Sequence, residues 1–155
     1  ADGRCELRGA LTGSGTFNFY SPFIRTDLFG NWSAFTGQIN VTTDADGGDF
    51  RIQNTAGYGN ASLNLADIYM YYTPTMSGNL TINIGALTGA ATAGISGGPT
   101  AGRILTWSVG AKNLDTNFAG AISNGTSTTA LTKVGTGVFA LTNAAASRHL
   151  PDPRR

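Results

Sequence analysis

The sequence predicts an all-β fold in which short parallel strands stack as the coils of a solenoid. Three observations carry that prediction. Apolar residues alternate with hydroxyl and amide residues. Leu80, Ile82 and Ile84 alternate with Thr81 and Asn83, and Leu105, Trp107 and Val109 alternate with Thr106 and Ser108. A period of two sends the apolar set to one side of a strand and the polar set to the other. No long segment shows the 3.6-residue period of a helix. Glycine supplies 22 of 155 residues and gathers between the runs, at Gly47-Gly48 and Gly97-Gly98-Pro99, where the chain must turn a corner. With 41% apolar residues in a domain-sized length, the chain can bury a core.

The elements follow in order. Residues 1–8 are polar and charged and read as an irregular segment. Residues 9–146 read as one solenoid domain. Its predicted strands are Thr16–Tyr20, Gln38–Thr42, Asp49–Gln53, Ser62–Leu65, Ile68–Tyr72, Leu80–Ile84, Ile104–Val109, Phe118–Ile122, Ala130–Lys133 and Val138–Leu141. The stretch Asp27–Phe35 departs from alternation and reads as an insertion or broad loop. Degenerate phrases recur: Gly9-Ala-Leu-Thr-Gly returns at Gly85, 76 residues on, and Phe35-Thr-Gly-Gln-Ile returns as Phe118-Ala-Gly-Ala-Ile, 83 residues on. Unequal offsets of this kind suit stacked coils with corners of variable length. Asn-Gly occurs at Asn124-Gly125, where a two-residue hairpin could form. The alternative fold is an antiparallel β-sandwich or jelly roll, which the strand spacing also suits. Residues 147–155 change composition abruptly and read as a disordered or non-native tail. Residue 1 is Ala and no signal peptide is visible, so the chain reads as a mature product or a fragment.

The stretch Leu131-Thr-Lys-Val-Gly-Thr-Gly-Val-Phe-Ala-Leu-Thr-Asn143 is strand, tight corner at Gly135 and Gly137, then strand. It resembles the autotransporter-associated β-strand repeat, whose core runs like Leu-Thr-Lys-x-Gly-x-Gly-Thr-Leu-x-Leu-x-Gly. The resemblance is close over Leu131–Asn143 and loose from Gly9 onward. It departs at Val138–Ala140, where that family usually has Thr-Leu-x. The resemblance implies a right-handed parallel β-helix, here possibly truncated, in an extracellular or bacterial cell-surface protein. Phrases like Gly30-x-Trp-Ser-x-Phe-x-Gly-x-Ile39 also look at home in bacterial β-helical surface proteins, which makes Trp32 and Phe35 structural. A truncated solenoid exposes unpaired backbone at its open coil ends, which favours homo-oligomerisation or capping.

Charge argues against nucleic acid as a partner. Five of the ten basic residues lie in the first or last eight positions, and between Gly9 and Ser147 five basic residues face six acidic ones. The body is therefore near neutral. No apolar run is long enough for membrane insertion. Cys5 is the lone cysteine, so no intramolecular disulfide can form.

Residues suited to chemistry are few. Asp44-Ala-Asp46-Gly-Gly-Asp49 gathers three carboxylates around two glycines, the oxygen-rich tight loop that Ca²⁺ requires. The same stretch also reads as a solvated turn. His149 is the lone histidine and Glu6 the lone glutamate, so triads, zinc sites and Glu-based acid–base pairs lack members. In Ile68-Tyr-Met-Tyr-Tyr72, Tyr69 and Tyr71 share one strand face and could stack on sugar rings, or form a packed ladder. The expected role is a β-solenoid unit that is structural, adhesive or in contact with polysaccharide. The alternative is a small Ca²⁺-dependent hydrolase or lyase acting on a polysaccharide, ester or lactone through Asp44, Asp46 and Asp49.

Overall fold

The computed structural model describes residues 3–21, 23–43, 48–74 and 78–143. Every pairing among its fourteen strands is parallel, which excludes the sandwich and jelly roll. One sheet has the order β1 (Gly3–Leu7), β3 (Ile24–Leu28), β5 (Asp49–Ile52), β7 (Tyr69–Tyr72), β9 (Gly94–Ser96), β12 (Ala121–Ser123). The other contains β2 (Thr16–Ser21), β4 (Gln38–Thr43), β6 (Tyr58–Leu65), β8 (Leu80–Gly89), β10 (Ile104–Val109) and β13 (Thr128–Lys133). Two short strands, β11 (Thr116–Phe118) and β14 (Phe139–Leu141), pair with each other, and β11 also meets β8.

The second sheet bends. The front of β8 pairs with β10 from Leu80↔Leu105 to Ile84↔Val109, whereas its end meets β11 at Gly89↔Phe118. Opposite this bend, the β6–β8 register shifts between Tyr58 and Ser62. The long strands β6 and β8 thus turn a corner and serve two faces. Each coil has three faces: one continues through β10 and β13, one through β11 and β14, and the third is the sheet that begins at β1. The chain is a parallel β-helix.

Side chains that point inward from the three faces fill the coil. Ile39, Val41, Leu63, Leu65 and Phe118 come from one face, and Phe50, Ile52, Met70, Tyr72 and Ile95 from the third; all are buried. Of the six residues predicted inward from alternation, Ile82, Ile84, Leu105, Trp107 and Val109 are fully buried, and Leu80 is half-buried against them. Aromatic edges link successive coils. Phe17 meets Trp32 at 5.5 Å and Trp32 meets Tyr58 at 6.2 Å, both edge-to-face. Such pairs add about 0.5–1.5 kcal/mol each beyond area burial.

Several parts of the chain differ from the sequence reading: the predicted strand Phe118–Ile122 is broken at Ala119 and Gly120, the corner between β11 and β12, and β9 lies outside the predicted strands. Within the segment read as irregular, Gly3–Leu7 forms β1, paired with β3 from Gly3↔Ile24 to Leu7↔Leu28. The stretch that begins at Asp27 is not all loop, because Asp27 and Leu28 end β3. That strand lacks apolar alternation because Thr26 is buried, with its hydroxyl accepting a bond from Ser21 at 3.0 Å. Asp27 is buried too, held by Arg25 at 2.7 Å and Gln53 at 2.6 Å. Trp32 and Phe35 are buried, and the Trp32 indole donates to the Gly9 carbonyl at 3.2 Å. Among the described residues no helix is long and apolar enough to cross a membrane.

Candidate functional site

The outer side of the third face carries two files of side chains set by strand register. One runs Arg25, Asp49, Tyr69, Gly94, Ala121, and the other Asp27, Arg51, Tyr71, Ser96, Ser123. Charged residues occupy the early coils, tyrosines the middle, and small residues the later coils. The side chains therefore shrink along the stack just beyond β7, and a step forms there. A shallow open depression of about 240 Å³ lies at that step, lined by Tyr71, Ser96, Gly98, Pro99, Gly125 and Thr126.

Tyr69 and Tyr71 do share the outer face of β7, with Met70 and Tyr72 buried on the other side. They lean in opposite directions. Tyr71 leans back toward β5, where its hydroxyl donates to Asp49 Oδ2 at 2.8 Å. Arg51 binds the same oxygen at 2.7 Å and places its guanidinium carbon 5.3 Å from the centroid of the Tyr71 ring. Tyr69 leans forward over Gly94, where an added Cβ would stand 2.5 Å from the tyrosine Cζ. Tyr69 is 41% exposed, but Tyr71 is the one that walls the depression. The two rings are therefore not one continuous platform.

Electrostatics hold Tyr71 in place. Burial, together with the bond to Asp49, pushes its phenol up to about 12, so it keeps its proton at neutral pH. Burial opposes the charge on Arg51, yet the bond to Asp49 and nearby negative charge raise its pKa. The ring is a fixed wall with its hydroxyl already committed. The lining residues offer an aromatic ring and the hydroxyls of Ser96 and Thr126, with no carboxylate, imidazole or thiol. Chemically, that set can stack and hydrogen-bond.

Of the candidate calcium ligands, Asp49 alone is among the described residues. Asp44 and Asp46, like His149 and residues 147–155, lie outside the described residues. Asp49 is described, and its Oδ2 is shared by Arg51 and Tyr71, so a cation there would compete with a guanidinium. Among the described residues no group of three His, Cys, Asp or Glu side chains could hold a metal.

Beneath the depression lies a residue that the sequence did not single out. Arg103 is 2% exposed and its guanidinium carbon sits 5.0 Å from the Tyr72 ring centroid. Its Nη1 donates to the Pro74 carbonyl at 3.0 Å and its Nη2 to the Gly97 carbonyl at 3.4 Å. Gly97 lies between two residues that line the depression, Ser96 and Gly98. Ser96, Gly98, Gly125 and Thr126 were also missed, since glycine and hydroxyl residues at corners look alike throughout this chain. Comparison with known proteins finds no match: no family model, no curated protein and no solved structure is similar enough to this chain to be counted.

Proposed function

We propose that this chain is a unit of an extracellular, surface-associated bacterial β-solenoid, and that the depression beside Tyr71 contacts polysaccharide. Tyr71 carries this reading. It is an aromatic side chain locked by Asp49 and Arg51 at the edge of an open, small-residue floor with hydroxyls at hand. Sugar rings present flat C–H faces to aromatic rings and hydroxyls to polar neighbours, and a pre-set wall lowers the entropy lost on binding. Openness suits a long polymer, which must enter and leave at both ends. Tyr69 supplies a further exposed ring on the same face. The resemblance of Leu131–Asn143 to a surface-protein repeat supports the location.

Affinity electrophoresis against a panel of soluble polysaccharides tests the binding. At least one polymer is expected to retard the protein. Tyr71→Ala is expected to weaken that retardation about tenfold or more, as loss of a stacking aromatic does. Tyr69→Ala is expected to have a smaller effect. Migration unaffected by every polymer, or a Tyr71→Ala variant that binds as well as the parent, would overturn the reading. Protease accessibility on intact cells of the source organism tests the location.

A further inference from the structure

The depression has an unbalanced charge under its floor. Arg103 is buried, and among the described residues no carboxylate pairs with it. Two carbonyls accept its Nη hydrogens, but its Nε has no hydrogen-bond partner among the described residues. A buried guanidinium usually sits beside a carboxylate, because desolvation without an opposing charge is costly. Two cations on the outer face of the third sheet differ in this respect. Arg25 is paired with Asp27 and Arg51 with Asp49, each at 2.7 Å. The Asp49–Arg51 pair behind Tyr71 is electrically balanced, whereas Arg103, bound to the Gly97 carbonyl next to the lining residues Ser96 and Gly98, has no counter-charge among the described residues.

The path from Arg103 to the depression is short. Its Nη2 binds the Gly97 carbonyl, and the neighbours Ser96 and Gly98 form the floor itself. Gly98 has a φ of +84° and an added Cβ there would run into the Tyr72 carbonyl, so this one position of the floor must stay glycine. An occupant over Gly98 meets backbone there, one residue from the carbonyl that Arg103 binds. Low dielectric between occupant and guanidinium strengthens their interaction relative to water.

We propose that the depression beside Tyr71 selects anionic polysaccharide, a uronate-containing chain whose carboxylate lies over Gly98 on the side of Arg103. The proposal rests on the polysaccharide reading of the same site and names its substrate class. Arg103 acts through the backbone and does not touch the sugar. Tyr71 stacks on the ring, and Ser96 and Thr126 meet its hydroxyls.

Calorimetric titration of the full chain with oligogalacturonate and oligomannuronate, each as the free acid and as its methyl ester, tests the proposal. The ester keeps the ring and removes the charge. An acid form is expected to bind about tenfold or more tighter than its own ester. Equal binding of acid and ester would overturn the charge selection and leave the polysaccharide reading standing. Binding of neutral glucans with no binding of either acid would do the same. If no polymer binds, both readings fall. Arg103→Gln should abolish the preference, with thermal melting as a check on folding. Should that variant fail to fold, the pair Thr126→Asp and Thr126→Asn provides a second measurement at an exposed rim position. The two are isosteric and differ in charge. The acid form is expected to bind the Asp variant about tenfold more weakly than the Asn variant, with no such gap for the ester. An equal response of the two variants would place the anion elsewhere and overturn the proposal.

Discussion

Tyr58 and Trp107 each bury a hydrogen-bond donor for which no acceptor lies among the described residues. Their rings are 1% and 0% exposed and fill the coil as apolar mass. The Tyr58 hydroxyl therefore adds a desolvation cost without a compensating bond. Tyr58→Phe is expected to leave stability unchanged or raise it by up to about 1 kcal/mol, measured by urea unfolding. A loss of more than about 1.5 kcal/mol would show that the hydroxyl has a partner. The same residue links stability to pH. Burial pushes its phenol well above the ordinary value of 10.0. Above that value the unfolded chain releases the proton while the folded chain holds it, so the folded state binds more protons and stability falls as pH rises. Tyr71, pushed up to about 12, adds to this slope between 10.0 and about 12. Melting temperature should therefore drop as pH climbs past about 10, and Tyr58→Phe should flatten the drop. An identical slope in the variant would contradict the buried-phenol account.

At the scale of the element, the corner inside β8 matters most. Gly85 lies where that strand passes from one face to the next. An added Cβ would stand 2.6 Å from the Ala61 carbonyl oxygen, 2.7 Å from that of Gly59 and 2.8 Å from Lys112 Cγ. Two of those neighbours are backbone of the preceding coil and cannot move without parting the strands. The Lys112 stem lies across the same corner. Its backbone N–H donates to the Gly85 carbonyl at 2.9 Å, and its Nζ reaches the Thr36 carbonyl at 2.7 Å, three coils away. Gly85→Ala is expected to cost about 1–3 kcal/mol, as overpacking does. At Gly9 an added Cβ meets nothing within 4 Å, so Gly9→Ala is the matched control. Urea midpoints of the two variants check this. Equal midpoints would mean that the corner relaxes freely.

Across the whole molecule, every strand pairing joins successive coils, with the long Lys112 side chain reaching further to Thr36, so stability is close to a sum of neighbour terms. Side-chain bonds between coils record the repeat: Asn40 to Asn18 spans 22 residues, Thr88 to Asn64 spans 24 and Thr142 to Asn117 spans 25. The middle coils have neighbours on both sides, and Leu63, Leu65, Ile82 and Ile84 are fully buried there. The end coils have one neighbour each, and Phe17, Phe19, Leu131 and Phe139 are only partly covered. Hydrogen exchange is expected to run slowest in β6 and β8 and fastest in β1 and β14. Uniform protection from end to end would instead indicate a single cooperative unit.

Alternation alone was enough to place β10 and the first half of β8, Leu80–Ile84, and to say which of their side chains point inward. That signal is local: a strand buried on one face writes its own period of two, whatever lies next to it. The same locality hid β3, because Thr26 and Asp27 are buried through bonds to Ser21, Arg25 and Gln53 that no short window contains. It also blurred the repeat. Gly9 and Gly85 echo each other across 76 residues, yet Phe35 and Phe118 sit on different faces: Phe35 bridges to Gly13, while Phe118 pairs with Gly89. Tyr69 and Tyr71 were legible as a pair on one strand face, but their opposite lean was not, since it depends on Asp49 one coil before and Gly94 one coil after. The depression belongs wholly to the tertiary structure. Tyr71, Ser96 and Gly125 come from three successive coils and meet only when the coils stack. Arg103 lies beneath them because its side chain reaches carbonyls of two coils at once. Sequence determined the strands and their inward faces through local periodicity; stacking, which sets unlike residues of successive coils side by side, decided the site.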